Sequence, residues 1–444
     1  MIGTNTNWNT ANAQMGKWPI YVFAIGGQAT VYTTRDLAAA GITGTLPAYH
    51  PWLLTPQGAS QSIDVINGKS TIGEMVLEVV DQLGVVRTLV GSTTLEGQTA
   101  TLSVGYPGLA WSEFVVLHTY LLYKITPTNG YTSWNFTARD MQVGLTKSVY
   151  LHPENGDLLS TDNPWYVGGT PGEVALAVLL FGMELAATAV DQAAFALLDS
   201  PVQGLHVATR PFLFVLTEAF SGLQFLEAEV YRASGLYPVI TPAGQISVRS
   251  SRAPAAGAAA AFAFTADNMC ILPEFDRMPV INEVICRFDY DGSNYGREMY
   301  FLNSDSLGTF GRTQQFVLES KGLRTELGAS GYSSWLAGRM FGRFAGTTLR
   351  GGAPTLQIEA FLMTLPVWVG DYVTVSHPLM PDLMTGALGV TNRVYEVIDR
   401  EPDYANGRMK YSLLDTGLTG MPTAYQWDGS GVARPFVIGT SLIY

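Results

Sequence analysis

The sequence has few cysteines and few charged side chains. Its two cysteines, Cys270 and Cys286, lie in or beside apolar strand-like segments, which fits small buried hydrophobes better than a disulfide framework or a metal site. Charged residues make up only 14% of the chain, below the quarter or so that is typical of soluble domains. Much of the surface must therefore be neutral or covered by other subunits. This favours a component of an assembly, although a single stable enzyme with a bland surface stays open.

Basic side chains are also scarce. The chain has 25 Lys and Arg against 37 Asp and Glu, a net charge of -12, and no basic run. A groove that grips nucleic acid needs clustered cations to displace counterions from the phosphates, so the charge balance argues against this function class. A passage through which DNA slips without binding remains compatible with the acidic balance.

Recognisable catalytic and metal-binding patterns are missing. The histidines share no metal-ligand spacing, and no nucleophile elbow, zinc-protease motif or phosphate-binding loop is present; the five are His50, His118, His152, His206 and His377. His118 lies in a strand-like segment and is predicted to be a core or face histidine, and Asp382 near His377 is predicted to lie in a turn. The sequence therefore predicts no catalytic, cofactor-binding or metal-binding residue and no cofactor.

An enzyme with two catalytic carboxylates is the class that is hardest to exclude from the sequence. The two acids of a glycosidase can come from separate parts of a chain. Glu218, Glu227 and Glu229 lie on one predicted helix. Glu227 and Glu229 do not share a face of that helix, and Glu218 is predicted to be solvated.

The N-terminus lacks the apolar core of a signal peptide, and the chain lacks a run long enough to cross a bilayer. The most apolar segment, residues 173–198, is interrupted at Glu184, about half of the ~20 residues that a crossing needs. We expect a buried helix there. Thr170, Pro171 and Glu173 have the residue types of an N-cap, a first-turn proline and an early acid.

Alternating strands are what the chain has in abundance. Residues 57–82 are the clearest case. Here Ile72, Met75, Leu77 and Val79 are interleaved with Glu74, Val76 and Glu78, which predicts a strand with one apolar and one partly charged face. The strand follows Asn67-Gly68, a dipeptide that tolerates positive φ and closes tight turns.

The order of patterns along the chain predicts a mainly β protein with an α+β middle unit between two β-barrel-like domains. Helical periodicity recurs in residues 173–198, 211–234 and 333–345, and alternation dominates elsewhere. The predicted divisions are an N-terminal arm (1–17), a first β-barrel-like domain (18–150), an α+β middle domain (151–251), an Ala-rich linker (252–268), a second β-barrel-like domain with an inserted helix at 333–345 (269–416), and an apolar, aromatic tail (417–444).

Four segments, each a weak match by itself, occur along the chain in the same order as in a known protein family. Residues 368–375, 392–400 and 409–416 resemble the closing β-unit of phage tail-tip and baseplate hub proteins, and the helix at 333–345 resembles the helix that precedes that unit. Residues 211–249 are similar to the middle domain of these hubs, and residues 60–81 to their N-terminal barrel. The resemblance covers most of residues 18–416, although the two β regions show no residue-level repeat.

The resemblance implies a non-enzymatic structural protein of the virion. It implies a homotrimeric ring of six barrels at the distal end of the tail, made in the host cytoplasm, which adapts the six-fold tail tube and distal ring to a three-fold central fibre or spike. The tape-measure protein and DNA would pass through the ring without specific binding, and no membrane span is expected.

The tail and the alternative function stay open. Residues 417–444 are predicted to pack on a neighbouring subunit, to plug their own domain or to form a final edge strand. Their aromatic content also leaves a receptor-binding, carbohydrate-binding or glycan-degrading β protein of the tail tip as the alternative.

Overall fold

Strands dominate the protein, which we describe from a computed structural model. The structure describes residues 4–14, 18–198, 210–251, 254, 257–346, 352–383, 386–421, 424–427 and 433–436. The predicted class, mainly β with curled, barrel-like sheets, is confirmed. The predicted division into domains stays a prediction.

The first third of the chain builds a seven-stranded sheet. Its helices and strands are α1 (Thr6–Asn12), β1 (Ile20–Ile25), β2 (Thr30–Thr33), β3 (Ala48–His50), β4 (Gln61–Asp64), β5 (Lys69–Ser70), β6 (Glu74–Val80), α2 (Val85–Ser92), β7 (Thr99–Gly105), β8 (Val115–Thr128) and β9 (Ser133–Arg139). Sheet order is β3-β2-β1-β7-β8-β9-β6. Part of the predicted arm lies in α1, which packs on this sheet because Trp8 is fully buried and its Nε1 donates to the Val104 carbonyl at 3.1 Å.

One short segment closes the first sheet into a barrel-like shape. Strand β3 pairs in parallel with β2, and the residues that follow it turn to pair with β6 at the other end of the sheet. The Leu53 N–H donates to Thr33 at 3.1 Å, and the Leu54 N–H donates to Glu78 at 2.9 Å. Residues 48–54 therefore bridge β2 to β6, so part of the edge of β6 is covered within the chain.

The middle of the chain supplies short helices and two-stranded pairs. They are β10 (Ser148–Val149), β11 (Trp165–Gly169), α3 (Pro171–Ala177), α4 (Gln192–Leu197), β12 (Phe212–Leu216), β13 (Phe220–Ser221), α5 (Gly222–Phe225), α6 (Arg232–Ser234), β14 (Leu236–Ile240) and β15 (Ile246–Ser250). A π-helical turn, Leu226–Tyr231, joins α5 to α6.

The helix predicted over residues 173–198 is wrong in length, although its start is confirmed. Thr170 Oγ1 accepts from the Glu173 N–H at 3.2 Å, and the Glu173 carboxylate accepts from the Thr170 N–H at 2.8 Å. The helix then ends after a π turn, where Gly182 packs against the Trp165 ring and Glu184 adopts a left-handed φ of 54°. The apolar pattern continues past this break because α3 and α4 pack into the same core.

The helix predicted over residues 211–234 is wrong in its first half. Residues 212–216 form β12, which pairs with β11 on one side and contacts Leu323 on the other. Phe212 and Phe214 are buried while Val215 is exposed, which is the alternation of a strand. The helix begins only at Gly222.

The last part of the chain builds two further sheets. Its strands and helices are β16 (Ala263–Thr265), β17 (Glu274–Arg277), β18 (Glu283–Tyr290), β19 (Tyr295–Leu302), α7 (Ser304–Phe310), β20 (Gln315–Glu319), α8 (Ala329–Phe344), β21 (Pro354–Phe361), β22 (Tyr372–Pro381), β23 (Leu388–Asp403), β24 (Arg408–Thr419), β25 (Ala424–Trp427) and β26 (Ala433–Phe436). Helix α8 confirms the helix predicted at 333–345. One sheet has the order β16-β22-β23-β24-β21-β17, with β4 pairing to β23, and the other has the order β19-β18-β20.

The second barrel-like sheet closes in the same way as the first. Strand β16, inside the segment predicted as a linker, pairs in parallel with β22, and the chain then turns to pair in antiparallel with β21. The Thr374 N–H donates to Phe262 at 3.0 Å, and the Cys270 N–H donates to Glu359 at 2.6 Å. In both sheets, one segment with a parallel pairing followed by an antiparallel one bridges strands from opposite sides of the sheet, β2 and β6 in the first and β22 and β21 in the second, where β17 remains the end strand.

Two large cores hold these parts together. One core packs the faces of both barrel-like sheets against each other, with members such as Phe23 and Leu117 from the first and Val373 from the second. The other core unites the middle helices and pairs with residues 281–344, through members such as Phe212 and Leu336. The three-stranded sheet and α8 therefore pack with the middle unit, in an α+β body. Among the described residues, every helix is too short or too polar to cross a bilayer.

Candidate functional site

Polar groups are buried where the two barrel-like sheets meet. His118 of β8 is fully buried, which confirms that it is a core histidine, and its Nε2 lies 3.3 Å from the Tyr404 hydroxyl. The Tyr404 ring packs on Tyr21 of β1 with centroids 4.9 Å apart. Burial, together with the nearby Arg400 charge, lowers the pKa of His118 well below its ordinary value. The imidazole is therefore neutral in the folded protein.

Arg400 is the cation of this junction. It is fully buried on β23, and its guanidinium lies 4.5 Å from the centre of the Trp368 ring. Its Nη2 donates to the Leu365 carbonyl at 3.3 Å, whereas Nε and Nη1 have no hydrogen-bond partner among the described residues. The charge is held by the aromatic ring face, an attraction that grows when water is excluded.

A second buried junction joins the second barrel-like sheet to the α+β body. Glu396 of β23 accepts from the Tyr237 hydroxyl at 2.6 Å, from Arg343 Nη2 at 2.6 Å and from Ser251 Oγ at 3.1 Å. These donors come from β14, from α8 and from the residue that follows β15. One carboxylate thus ties three segments together, and burial with the Glu396 charge raises the pKa of Tyr237 well above its ordinary value.

Arg339 completes this second junction. Its Nε donates to the Ser251 carbonyl at 2.9 Å, and its Nη2 donates to the Gly235 carbonyl at 3.1 Å. Burial, and then the neighbouring Arg343 charge, lowers the pKa of Arg339 to about 10, so the side chain stays protonated at neutral pH. Sequence reasoning missed these groups. The available signal was a charge inside an apolar run, as with Glu396 among residues 394–398.

The candidate carboxylates lie in two different elements, a loop and the π-helical turn. Glu218 is exposed in the loop before the helix, so its placement on that helix was wrong. Glu229 accepts from the Lys321 N–H at 2.7 Å, and burial raises the pKa of both Glu227 and Glu229. Within the residues that the structure describes, His, Cys, Asp and Glu side chains form no group of three or more that could hold a metal ion.

The other histidines lie apart from one another and make local contacts. His50 stacks on Trp52 with ring centroids 3.9 Å apart. His152 accepts from the Glu154 N–H, and His377 accepts from the Leu379 N–H. His206 lies outside the described residues, as does most of the predicted tail beyond Met421 apart from β25 and β26.

The fold is similar to those of solved tail proteins. A tail protein from Neisseria meningitidis MC58 is similar over 90% of this chain and 98% of its own, with 11% identity and a TM-score of 0.50. The 43 kDa tail protein of prophage MuSo2 from Shewanella oneidensis has 13% identity over 90% and 98% of the two chains, with a TM-score of 0.47. Prophage tail protein gp18 from Listeria monocytogenes has 8% identity over 89% and 94%, with a TM-score of 0.44.

No family model and no curated protein matches the sequence. The likeness to the Neisseria protein, at its low identity, shows a shared fold. At that level the predicted resemblance to phage tail proteins is confirmed.

Proposed function

We propose that the chain is a structural, non-enzymatic hub protein of a phage tail tip or baseplate. In this proposal three copies form a ring at the distal end of the tail, between the six-fold tail tube with its distal ring and a three-fold central fibre or spike. The observation that carries the proposal is the matching closure of the two barrel-like sheets by residues 48–54 and 261–270. Two similar modules in each chain would give six around a three-fold axis.

The closure also indicates how copies would meet. Because part of the edge of each sheet is already paired within the chain, neighbouring modules would contact mainly through their outer faces. Few charged side chains suit such contacts, because burying a charge at an interface is costly.

The buried junctions support a mechanical role. The Glu396–Arg343 pair joins the second barrel-like sheet to the α+β body, and His118 meets Tyr404 where the two sheets pack, away from solvent. These contacts would keep the units of a chain in a fixed relation while the ring holds its neighbours. The net charge of -12 would let DNA and the tape-measure protein pass through the ring without binding.

Light scattering on the purified chain, followed by mixing with the tail-tube and distal-ring proteins of the same phage, tests the proposal. We expect a mass of three times the 48.0 kDa chain and co-elution with at least one of these proteins. A chain that stays monomeric at high concentration and binds neither protein would contradict it. A gain in melting temperature with cell-wall glycan, in that monomer, would instead support the carbohydrate-binding alternative.

A further inference from the structure

Strand β19 ends the three-stranded sheet and has one unpaired side. It pairs with β18 from Glu283 opposite Leu302 to Tyr290 opposite Tyr295, without a register shift. On its other side, no backbone group of residues 295–302 has a hydrogen-bond partner within the described part of the chain. Along these eight residues, the N–H and C=O groups of every second residue point away from β18 and are therefore available to another strand.

Most sheet edges in proteins are protected against such pairing by short length, charge, proline or a bulge. Strand β17, at the end of the second barrel-like sheet, follows this rule. It has four residues, and three of them, Glu274, Asp276 and Arg277, are charged. By contrast, β19 is twice as long, contains neither proline nor a bulge, and has only two charged residues among eight, Arg297 and Glu298. It also carries Tyr300 and Leu302, which are 55% and 42% exposed.

The outward face of the same sheet has an apolar row beside an acidic one. Tyr300 lies opposite Ile285 of β18, which lies opposite Val317 of β20. The adjacent row is Glu298, Arg287 and Glu319, in which Arg287 donates to each carboxylate at 2.6 Å. Two carboxylates share one guanidinium, so this row keeps a net negative charge. Along this face of β19, the acidic Glu298 is thus followed by the apolar positions of Tyr300 and Leu302.

We propose that the free edge of β19 binds an extended, basic segment of another protein by strand addition. Side chains of an added strand lie beside those of β19 on the same face of the sheet. The segment that fits has a Lys or Arg beside Glu298 and apolar side chains beside Tyr300 and Leu302. A second copy of this chain fits less well, because it would bring another acidic row against the first. The proposal concerns a surface outside the barrels and does not rest on the ring.

Binding of synthetic peptides to the full chain tests the proposal. The probe is a labelled peptide of about ten residues with one lysine and two valines at alternate positions and threonine between them. Fluorescence anisotropy would compare the wild-type chain with Glu298→Lys, and with Glu274→Lys as the matched control on β17. We expect Glu298→Lys to weaken binding about tenfold, because an attraction becomes a repulsion, and Glu274→Lys to leave it unchanged.

A second probe separates strand addition from simple charge attraction. The same peptide with N-methylated backbone amides keeps its side chains but cannot pair with the edge, so we expect its binding to be lost. Equal binding of both peptides, equal binding to both variants, or no binding of the unmodified peptide would each overturn the proposal. Self-association of the wild-type chain that Glu298→Lys alone abolishes would also overturn it, since the edge would then serve a second copy.

Discussion

The Tyr237 hydroxyl donates a hydrogen bond of 2.6 Å to Glu396, and this contact links the β14–β15 hairpin to the longest strand of the second barrel-like sheet. Both side chains are fully buried, and Arg343 supplies the charge that balances the carboxylate. The α+β body and the second barrel-like sheet are thus joined through a buried ion pair, whose integrity should govern the stability of the whole chain.

Removing the charge of Glu396 tests this dependence. We expect Glu396→Gln to lower the free energy of unfolding by about 3–5 kcal/mol, because Arg343 would remain buried without a counter-charge. Urea denaturation measures the change. Glu401→Gln is the control, since Glu401 and Lys410 are exposed and 4.0 Å apart, and should have little effect. Equal effects of the two substitutions would show that the buried pair does not hold the units together.

Position 235 requires a glycine for two reasons, its backbone conformation and the adjacent Arg339 side chain. Its φ is 60°, and the guanidinium of Arg339 occupies the position that a β-carbon there would take. We expect Gly235→Ala to destabilise the protein by more than about 3 kcal/mol, since strain and displacement of Arg339 add. Gly311→Ala is the matched control, with φ 66° but open space around it, and should cost only about 1 kcal/mol. Similar shifts in melting temperature for the two variants would show that displacement of Arg339 adds nothing to the cost of Gly235→Ala.

Asp399 should make stability depend on pH. Burial, and then the Glu401 charge, raises its pKa from 3.8 to about 6. The folded state therefore holds this proton more tightly than the unfolded state, and the stability gained from it at low pH is lost as pH rises from about 4 to about 6. We expect Asp399→Asn to match the wild-type melting temperature at pH 4 and to exceed it at pH 7.

Asp291 offers the opposite sign as a control. The Asn294 and Ser293 N–H groups donate to its carboxylate and lower its pKa. Its contribution is therefore present at neutral pH and lost as pH falls. Asp291→Asn should lower the melting temperature more at pH 7 than at pH 3. If both variants shift alike with pH, the burial of Asp399 does not govern its titration.

The two thiols should differ in reactivity. Cys286 is fully buried, and burial raises its pKa to about 11, whereas Cys270 is only partly buried. Because the thiolate is the reactive form, we expect a thiol reagent at pH 8 to modify Cys270 slowly and Cys286 only after unfolding in urea. Two reactive thiols in urea confirm that both are free, while none would indicate a disulfide.

Local patterns predicted local structure well where neighbouring residues decide it. Asn67-Gly68 closes the β4–β5 turn with Gly68 at φ 67°, and Met75, Leu77 and Val79 are buried along β6 as their alternation predicts. Ile72 was assigned to the same face and is instead 38% exposed, because the strand begins only at Glu74. The predicted alternation along the strand was right, and only the residue at which the strand begins was predicted wrongly.

Long-range contacts explain the failures. Residues 212–216 have a spacing that suits a helix or a strand, and pairing with β11 decided for the strand. The segment after Leu179 leaves the helix where Gly182 meets Trp165, a residue on another strand. In both places the deciding partner is distant in sequence, and a local pattern contains no information about it.

By itself, the sequence determined the β-rich class, the helix cap at Thr170, the turn at Gly68 and the scarcity of charge, because each depends on composition or on residues within a few positions. Only the tertiary structure decided that both sheets close on themselves, that Glu396 and Arg400 are buried between units, and that β19 keeps a free edge. All three features depend on which segments, distant in sequence, come into contact. Hydrophobic burial is non-directional, so it favours many such contacts without specifying one.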